Sequence, residues 1–450
     1  MGKIFGTDGA RGVANSELTC ELAMNIGRAA ALVLTDNRHK RPRILIGKDT
    51  RISSDMLEGA LKAGICSVGA DVAILGVVPT PAVAYLVREC KADAGIMISA
   101  SHNPAEFNGI KIFSGDGYKL PDAMEQQIEE LIINGMKDVK YSVGSQVGRV
   151  TYENDAVYKY VDHIVKTVSK DLSGVKAIID CSNGSASRTA ESIVKKLSID
   201  AEIICSNPDG ININEECGST HLKKLSEYVR ESGADIGIAF DGDADRCLAV
   251  DERGEEIDGD FIMAVCAKHM KEEGKLSKNT IVGTIMTNMG FTDFCKESNI
   301  NFVSTKVGDR YVIEEMLNNG YNFGGEQSGH IIFKDFTTTG DGQLTAVQLL
   351  EVVKNLGIKA SEIKHLFAKY PQVIINVQVT PEGKAMWKQD IDIQSCILEA
   401  QNELQGIGRI IVRESGTEPL IRIMVECKDE KKINDIANRV KEKIVEKIGK

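Results

Sequence analysis

Short apolar runs recur along the chain, separated by stretches in which apolar positions return every three or four residues. Residues 43–47 read as a buried strand, 57–68 as a helix and 71–75 as the next strand. A helix is predicted after Pro79 and Pro81, then a strand over 95–98. The alternation restarts at 175–180, 203–205, 236–240, 280–283 and 302–303. Strands alternating with helices predict α/β units whose loops at the strand ends carry the chemistry. One echo, A-D-x-G-I at 92–96 and again at 234–238, leads each time into a polar loop. The tail has another texture. Strands are predicted over 373–379, 410–412 and 420–425, and Ile433, Ile436, Val440, Ile444 and Ile448 mark an amphipathic helix. This is an α+β module beginning after Pro371. Polar or turn-rich stretches at 141–154, 251–258 and 370–371 divide the chain into predicted domains 1–150, 151–253, 254–368 and 369–450.

Composition changes this picture little. Apolar residues at 42% and charged residues at 26% of 450 are ordinary for a globular protein and exclude a fibrous or largely disordered chain. Lys+Arg 54 against Asp+Glu 65 gives a net charge of −11, and no basic run stands out, so nucleic acid is not expected as a partner. An acidic protein that handles an anion must bring local cations or a metal to it. No apolar run approaches the ~18 residues of a membrane span, and the opening residues show no secretory apolar region. The 11 cysteines are odd in number, with no C-x-x-C spacing. They read as reduced thiols of a cytoplasmic protein.

Four loops carry candidate chemistry. Ser99-Ala100-Ser101-His102-Asn103-Pro104 follows a predicted strand, where open α/β sheets bind ligands. A serine there can be a nucleophile, although a Ser/Asn/Pro turn also simply ends a strand. Asp241-Gly242-Asp243-Ala244-Asp245-Arg246 places three aspartates at alternate positions, which repel one another unless solvated or joined by a hard cation. D-x-D-x-D also opens an EF-hand, but Arg246 stands where that loop needs glycine, and strands rather than helices flank it. Gly324 to His330 offers backbone access and the polar groups of Glu326, Gln327, Ser328 and His330, suited to sugar hydroxyls or to a plain hairpin turn. Arg413-Glu414-Ser415-Gly416-Thr417-Glu418-Pro419 combines hydroxyls, a glycine and an arginine, the makings of an anion nest or of an ordinary inter-strand turn. Arg413 and Arg422 are suited to gripping phosphate in bidentate fashion. Together the loops describe phosphoryl transfer on a sugar phosphate.

At these residues the chain resembles the α-D-phosphohexomutase superfamily over nearly its full length, with the four motifs in the family's order. The opening Phe5-Gly6-Thr7-Asp8-Gly9-Ala10-Arg11-Gly12 is similar to that family's start. Gln327 and the run Ser415-Gly416-Thr417-Glu418-Pro419 resemble its glucosamine branch. Glu414, where that branch often carries lysine, and Ala105-Glu106-Phe107 depart from it.

The resemblance implies three mixed-sheet α/β domains and a C-terminal α+β domain of the TATA-binding-protein-like type. It implies interconversion of glucosamine 6-phosphate and glucosamine 1-phosphate, with the phosphomannomutase/phosphoglucomutase reaction as the alternative. Ser101 would be the phosphoserine carrier. Asp241, Asp243, Asp245 and a phosphate oxygen on Ser101 would hold one Mg²⁺ per subunit. Arg11, Lys111 and His330 are the candidates for proton transfer and charge balance. Arg246, Lys306, Glu326 and Ser328 would contact the sugar, and Arg413, Ser415, Gly416, Thr417 and Arg422 its non-transferring phosphate. A sugar 1,6-bisphosphate is the implied activator. The implied partner is a small-molecule sugar phosphate, without nucleic acid or membrane, and a homodimer is admitted.

Overall fold

The computed structural model describes residues 4–6, 8–34, 41–137, 139–169, 171–414 and 420–449. The chain divides into two compact units, Met1–Thr287 with Ser298–Leu366, and Asn288–Glu297 with Phe367–Lys450.

The first unit holds three sheets. In the seven-stranded one the order is Phe5–Gly6, Gly9–Val13, Phe107–Ser114, Ala94–Ile98, Arg43–Lys48, Asp71–Val77, Val150–Tyr152. Arg43–Lys48 lies parallel to both Asp71–Val77 and Ala94–Ile98. Phe107–Ser114 runs antiparallel to Ala94–Ile98 and brings the chain back past the serine loop. The apolar pattern decides what is inside. Ile26, Ile44, Ile46, Leu57, Leu61, Ile65, Val72 and Ile96 are fully buried between this sheet and the helices Cys20–Leu34 and Ser53–Ser67. Each such side chain contributes about 1.5–3 kcal/mol of burial.

Phe107–Ser114 is absent from the sequence expectation because Asn108 and Lys111 interrupt its apolar run. Both are buried all the same. The Asn108 amide donates to the Ser53 and Ser54 hydroxyls, and Lys111 pairs with carboxylates. Polar side chains enter a core when they are partnered. The polar stretch 141–154 likewise contains a short strand, Val150–Tyr152, paired parallel to Asp71–Val77.

The five-stranded sheet has the order Glu256–Ile257, Cys247–Asp251, Ile236–Phe240, Lys176–Asp180, Asp200–Ile204. Ile236–Phe240 is parallel to Lys176–Asp180 and antiparallel to Cys247–Asp251, so the aspartate loop is the turn of a hairpin. Cys205, expected within a strand, falls just past Ile204 with φ +47°. The four-stranded sheet has the order Asn301–Thr305, Thr280–Thr284, Phe323–Gly325, Ile331–Phe333, and its last two strands flank the Gly/Glu/His loop.

In the second unit an antiparallel sheet has the order Gln372–Gln378, Leu420–Cys427, Gly408–Glu414. Helices Ile391–Leu404 and Glu430–Ile448 bury Ile393, Leu404, Ile433, Val440 and Ile444 against Ile421 and Ile423. Asp429 caps the second helix by accepting the Lys432 N–H at 3.1 Å. Helix Met289–Glu297, far earlier in sequence, belongs to this unit. The Asn288 side chain both accepts the Tyr370 N–H (2.9 Å) and donates to its carbonyl (3.0 Å). The Met289 N–H donates to Glu426 at 3.0 Å. Among the described residues no helix is long and apolar enough to cross a membrane.

Candidate active site

The site is assembled in the first unit. Strand Ala94–Ile98 ends in Ser99-Ala100-Ser101, all buried. Ser101 sits at φ +53°, a region serine enters only when its surroundings hold it. Several bonds do so. The Ser101 N–H donates to Ser99 Oγ (2.9 Å), which donates to Asp49 Oδ2 (2.7 Å). Arg51, wholly buried, is clamped by Asp49 and points its guanidinium at the carbonyls of Ser101 (2.9 Å), Asn103 (2.8 Å) and Pro104. Asn214 reaches from the other side to the Ser101 (2.9 Å) and Asn103 (3.0 Å) carbonyls.

Across from this loop stands the aspartate hairpin. Gly242 is required there, because a Cβ would lie 2.6 Å from the Ser101 carbonyl oxygen. The close approach places the Ser101 hydroxyl 2.5 Å from Asp241 Oδ2, to which it donates. Asp241, Asp243 and Asp245 are all buried, and each offers a carboxylate oxygen within 4.8 Å of the others.

The surroundings divide the three carboxylates. Lys111, buried on strand Phe107–Ser114, reaches Asp243 Oδ2 at 2.7 Å, Asp8 at 3.2 Å and Asp245 Oδ2 at 3.3 Å. Thr80 also donates to Asp243 Oδ2, at 2.5 Å. Burial and the two neighbouring carboxylates push Asp241 well above the usual carboxylate range. Burial works upward on Asp245 too, but Lys111 and His330 outweigh it and hold that carboxyl low. Lys111 in turn is held well above an ordinary lysine, its desolvation outweighed by Asp243, Asp8 and Asp245.

The triad fits a hard cation. Among the described residues Asp243 Oδ1 is buried without a hydrogen-bond partner. Asp245 Oδ1 has only long contacts, to His330 Nδ1 at 3.7 Å and Arg246 Nε at 3.9 Å. Buried carboxylate oxygens left in this state are costly unless something charged joins them. The all-oxygen donor set suits Mg²⁺ or Ca²⁺.

His330 closes the far wall. It is buried, with Nδ1 toward Asp245 and Nε2 accepting the Gly340 N–H at 3.0 Å, 3.4 Å from Asp309. Desolvation lowers its pKa, but Asp245 outweighs that and raises it. Gly340 is needed for this seat, since a Cβ would come within 2.5 Å of the ring. Arg11 pairs with Asp8 (2.8 Å) and donates to Asn103 (3.3 Å). The Arg246 backbone N–H donates to Asp241 Oδ1 at 3.1 Å. Ser101, the aspartates, Arg11, Lys111, Arg246 and His330 thus form one network.

The other expected residues make contacts of their own. Glu326 accepts the Gly308 N–H at 3.0 Å, Ser328 is exposed in the same loop, and exposed Lys306 lies over the Tyr311 ring at 5.8 Å. Arg413 and Arg422 are register partners on adjacent strands of the second unit. Ser415, Gly416 and Thr417 lie outside the described residues. Glu414 accepts the Trp387 indole N–H (3.1 Å) and pairs with Lys388 (2.8 Å).

Sequence reasoning missed five participants. Asp49 and Arg51 frame the serine loop, and Asn214 braces it. Lys119 joins Asp8 (2.6 Å) to Asp309 (2.5 Å). His102 stands with Nδ1 3.2 Å from the Ser101 hydroxyl, its pKa pushed down to about 4 by burial, Arg246 and Arg11. Only His102 had a signal, as part of the serine motif.

Comparison with known proteins places this geometry. Residues 2–138, 158–254 and 258–370 match the phosphoglucomutase/phosphomannomutase alpha/beta/alpha domains I, II and III, and 374–443 match the C-terminal domain of the same family. A phosphoglucosamine mutase of Ruminiclostridium cellulolyticum is 54% identical over 442 residues, covering 98% of each chain. One of Clostridium novyi is 50% identical over 447 residues, 99% of each. A phosphoglucomutase/phosphomannomutase family protein from Burkholderia thailandensis shares the fold with a TM-score of 0.82 at 22% identity, covering 98% of this chain and 97% of that one. An N-acetylphosphoglucosamine mutase of Aspergillus fumigatus, solved with GlcNAc-6P and magnesium, aligns with a TM-score of 0.68 at 17% identity, covering 99% and 96%.

Proposed function

We propose that this chain, which belongs to the phosphoglucosamine mutase branch of the phosphoglucomutase/phosphomannomutase family, interconverts glucosamine 6-phosphate and glucosamine 1-phosphate with Ser101 as phosphoryl carrier. The observation that carries the reading is the Ser101 hydroxyl lying 2.5 Å from Asp241 at the edge of a buried carboxylate triad with unsatisfied oxygens. Phosphate-monoester chemistry is extremely slow without help, and the protein contributes positioning and charge neutralisation.

Phosphorylated Ser101 donates its phosphoryl group to the free hydroxyl of the bound sugar phosphate, and the resulting bisphosphate returns the other phosphate to Ser101. Mg²⁺, held by Asp241, Asp243, Asp245 and a phosphate oxygen on Ser101, would offset charge on the transferring group. The Asp49–Arg51 clamp and Asn214 fix the carbonyls around Ser101, so the hydroxyl keeps one orientation through both half-reactions. The Ser101 hydroxyl donates to Asp241 Oδ2 at 2.5 Å and has His102 Nδ1 at 3.2 Å, so these two groups are within reach of its proton. Lys111 stays charged and balances Asp243 and Asp245. His330 has both ring nitrogens engaged, Nε2 accepting the Gly340 N–H and Nδ1 facing Asp245, which suits orienting Asp245 better than proton transfer to a sugar. Arg11 and Arg246 border the reacting centre. Lys306, Glu326 and Ser328 contact the sugar, and the Arg413 and Arg422 pair, with Ser415, Gly416 and Thr417, holds the second phosphate. Arg413 and Arg422 stand in register on adjacent strands, which suits a bidentate grip on one phosphate. A sugar 1,6-bisphosphate primes the serine. All 11 cysteines are free thiols, which supports a reducing cytoplasm.

The test is Ser101→Ala. It should abolish mutase turnover and leave the melting temperature unchanged, and intact mass should show a phosphate lost from the wild type alone after phosphatase treatment. Wild-type turnover in Ser101→Ala would remove Ser101 as carrier. Comparing glucosamine 6-phosphate with glucose 1-phosphate and mannose 1-phosphate should show the amino sugar preferred. Preference for mannose 1-phosphate would move the chain to the sister reaction.

A further inference from the structure

A second cluster of reactive side chains lies in the five-stranded sheet, beside the active site and unused by it. Asp180 ends strand Lys176–Asp180, and Cys205 follows strand Asp200–Ile204. Cys217 ends the segment that touches the serine loop through Asn214. One ligand-type atom from each of these three residues lies within 4.8 Å of the others. The contacts within the cluster argue against a metal. The Asp180 oxygens are taken by the backbone N–H groups of Ser182 (2.8 Å) and Gly218 (2.9 Å). The charge of Lys224 already favours the Cys205 thiolate, so a cation of the protein offsets charge there.

We propose that Cys205 and Cys217 are a peroxide-responsive thiol pair, with Cys205 the reactive thiolate and Cys217 the resolving thiol. The two sulfurs lie within 4.8 Å of each other, Cys205 is half-buried, and Cys217 is fully buried. That is the arrangement of an accessible attacking sulfur with a sheltered partner. The environment supports the assignment. Neighbouring Cys217 and the charge of Lys224 draw the Cys205 thiol down despite its burial, whereas burial pushes the half-buried thiols of Cys66 and Cys90 up. The Cys205 thiolate attacks one oxygen of hydrogen peroxide, the O–O bond breaks, and hydroxide leaves. Cys205 is now a sulfenic acid. The Cys217 sulfur attacks it, an S–S bond forms, the S–O bond breaks, and the departing hydroxide takes the Cys217 proton as water.

The bridge would fasten both ends of segment 205–217. That segment carries Asn214, whose amide holds the Ser101 and Asn103 carbonyls. Closing it should disturb the serine loop. This consequence rests on the mutase reading, whereas the thiol chemistry does not.

The experiment treats the full-length protein with limiting hydrogen peroxide and reads it by peptide mass and by rate. The wild type should lose two thiols and yield a linked peptide pair containing Cys205 and Cys217. Cys217→Ser should instead trap Cys205 as a dimedone-reactive sulfenic acid, and Cys205→Ser should form no bridge at the same dose. The linked protein should turn over several-fold more slowly, with dithiothreitol restoring the rate. Bridges between other cysteines, equal oxidation of Cys205→Ser, or peroxide resistance with zinc retained by the purified protein would each overturn the pair. A linked protein with unchanged rate would overturn its coupling to the serine loop.

Discussion

Two clusters of metal-ligand residue types stand at the C-terminal ends of neighbouring strands in one sheet. Asp180 ends one strand, and the Asp241 loop begins where its neighbour stops, with Asp180 and Ala239 in register. Both clusters are buried or nearly so, and each offers three donors within 4.8 Å. The difference lies in what is already satisfied. Asp180 spends its oxygens on backbone N–H groups, and the charge of Lys224 already favours the Cys205 thiolate. The aspartate triad leaves Asp243 Oδ1 without a partner and forces Asp241 up. Residue type alone does not mark a metal site. Unspent bonding capacity does.

The largest effect expected from this contrast is at Asp243. Asp243→Asn keeps the shape and the contact with Thr80 but removes charge from the triad proposed to hold the cation. Its turnover should fall on the order of 10²–10³-fold, the scale of losing one electrostatic stabiliser of a transition state. Added Mg²⁺ should raise the melting temperature of the wild type, as any ligand of the native state does, and leave that of the variant nearly unmoved. Equal Mg²⁺ stabilisation of both would break the contrast. Asp180→Ala makes the opposite trade. It strands the buried N–H groups of Ser182 and Gly218, at about 1–3 kcal/mol each, so chemical denaturation should show a loss of about 2 kcal/mol or more. Turnover per folded molecule should stay within a few-fold, and its Mg²⁺ requirement should not change. A shifted Mg²⁺ requirement would join the two clusters into one site.

The same logic explains what the sequence revealed. The strands of the α/β units, and the serine and aspartate loops at their ends, were legible because apolar runs stop abruptly at short polar motifs. The Asp49–Arg51 clamp, Asn214 and Lys119 were not. They are single polar residues, and only tertiary structure turns them toward the serine and the triad. Strand Phe107–Ser114 was hidden for the related reason that Lys111, its most consequential residue, looks like a surface lysine until its three carboxylates are in place. Helix Met289–Glu297 joins the second unit through Asn288 and Tyr370, a long-range pairing that no local pattern encodes.

A smaller effect concerns pH. Asp241 has its carboxyl raised in the metal-free protein, so Mg²⁺ must displace a proton there. As pH falls toward the raised value, the proton competes better, and the Mg²⁺ concentration for half-maximal turnover should rise. A group raised in the folded state also costs stability once it ionises, so Asp241 destabilises the metal-free protein as pH climbs above the ordinary carboxylate range near ~3.9. Mg²⁺ stabilisation should therefore be greater at neutral than at acidic pH. A Mg²⁺ requirement flat across that range would show that Asp241 is already ionised without the cation.

The smallest effect is at Cys205 under reducing conditions. Cys205→Ser removes the thiolate but touches neither Asp180's backbone bonds nor the Asn214 contacts to the serine loop. A hydroxyl fits where the sulfur stood, and the Lys224 ammonium, only slightly buried, can turn to solvent. Turnover with dithiothreitol present should lie within about twofold of wild type, and stability should change by about 1 kcal/mol or less, as for most substitutions away from a packed core. The contrast with Asp243→Asn is then complete: the triad acts through charge it has left unspent, whereas the thiol pair is silent until an oxidant arrives. A large loss of turnover in reduced Cys205→Ser would mean that the sulfur itself braces the serine loop.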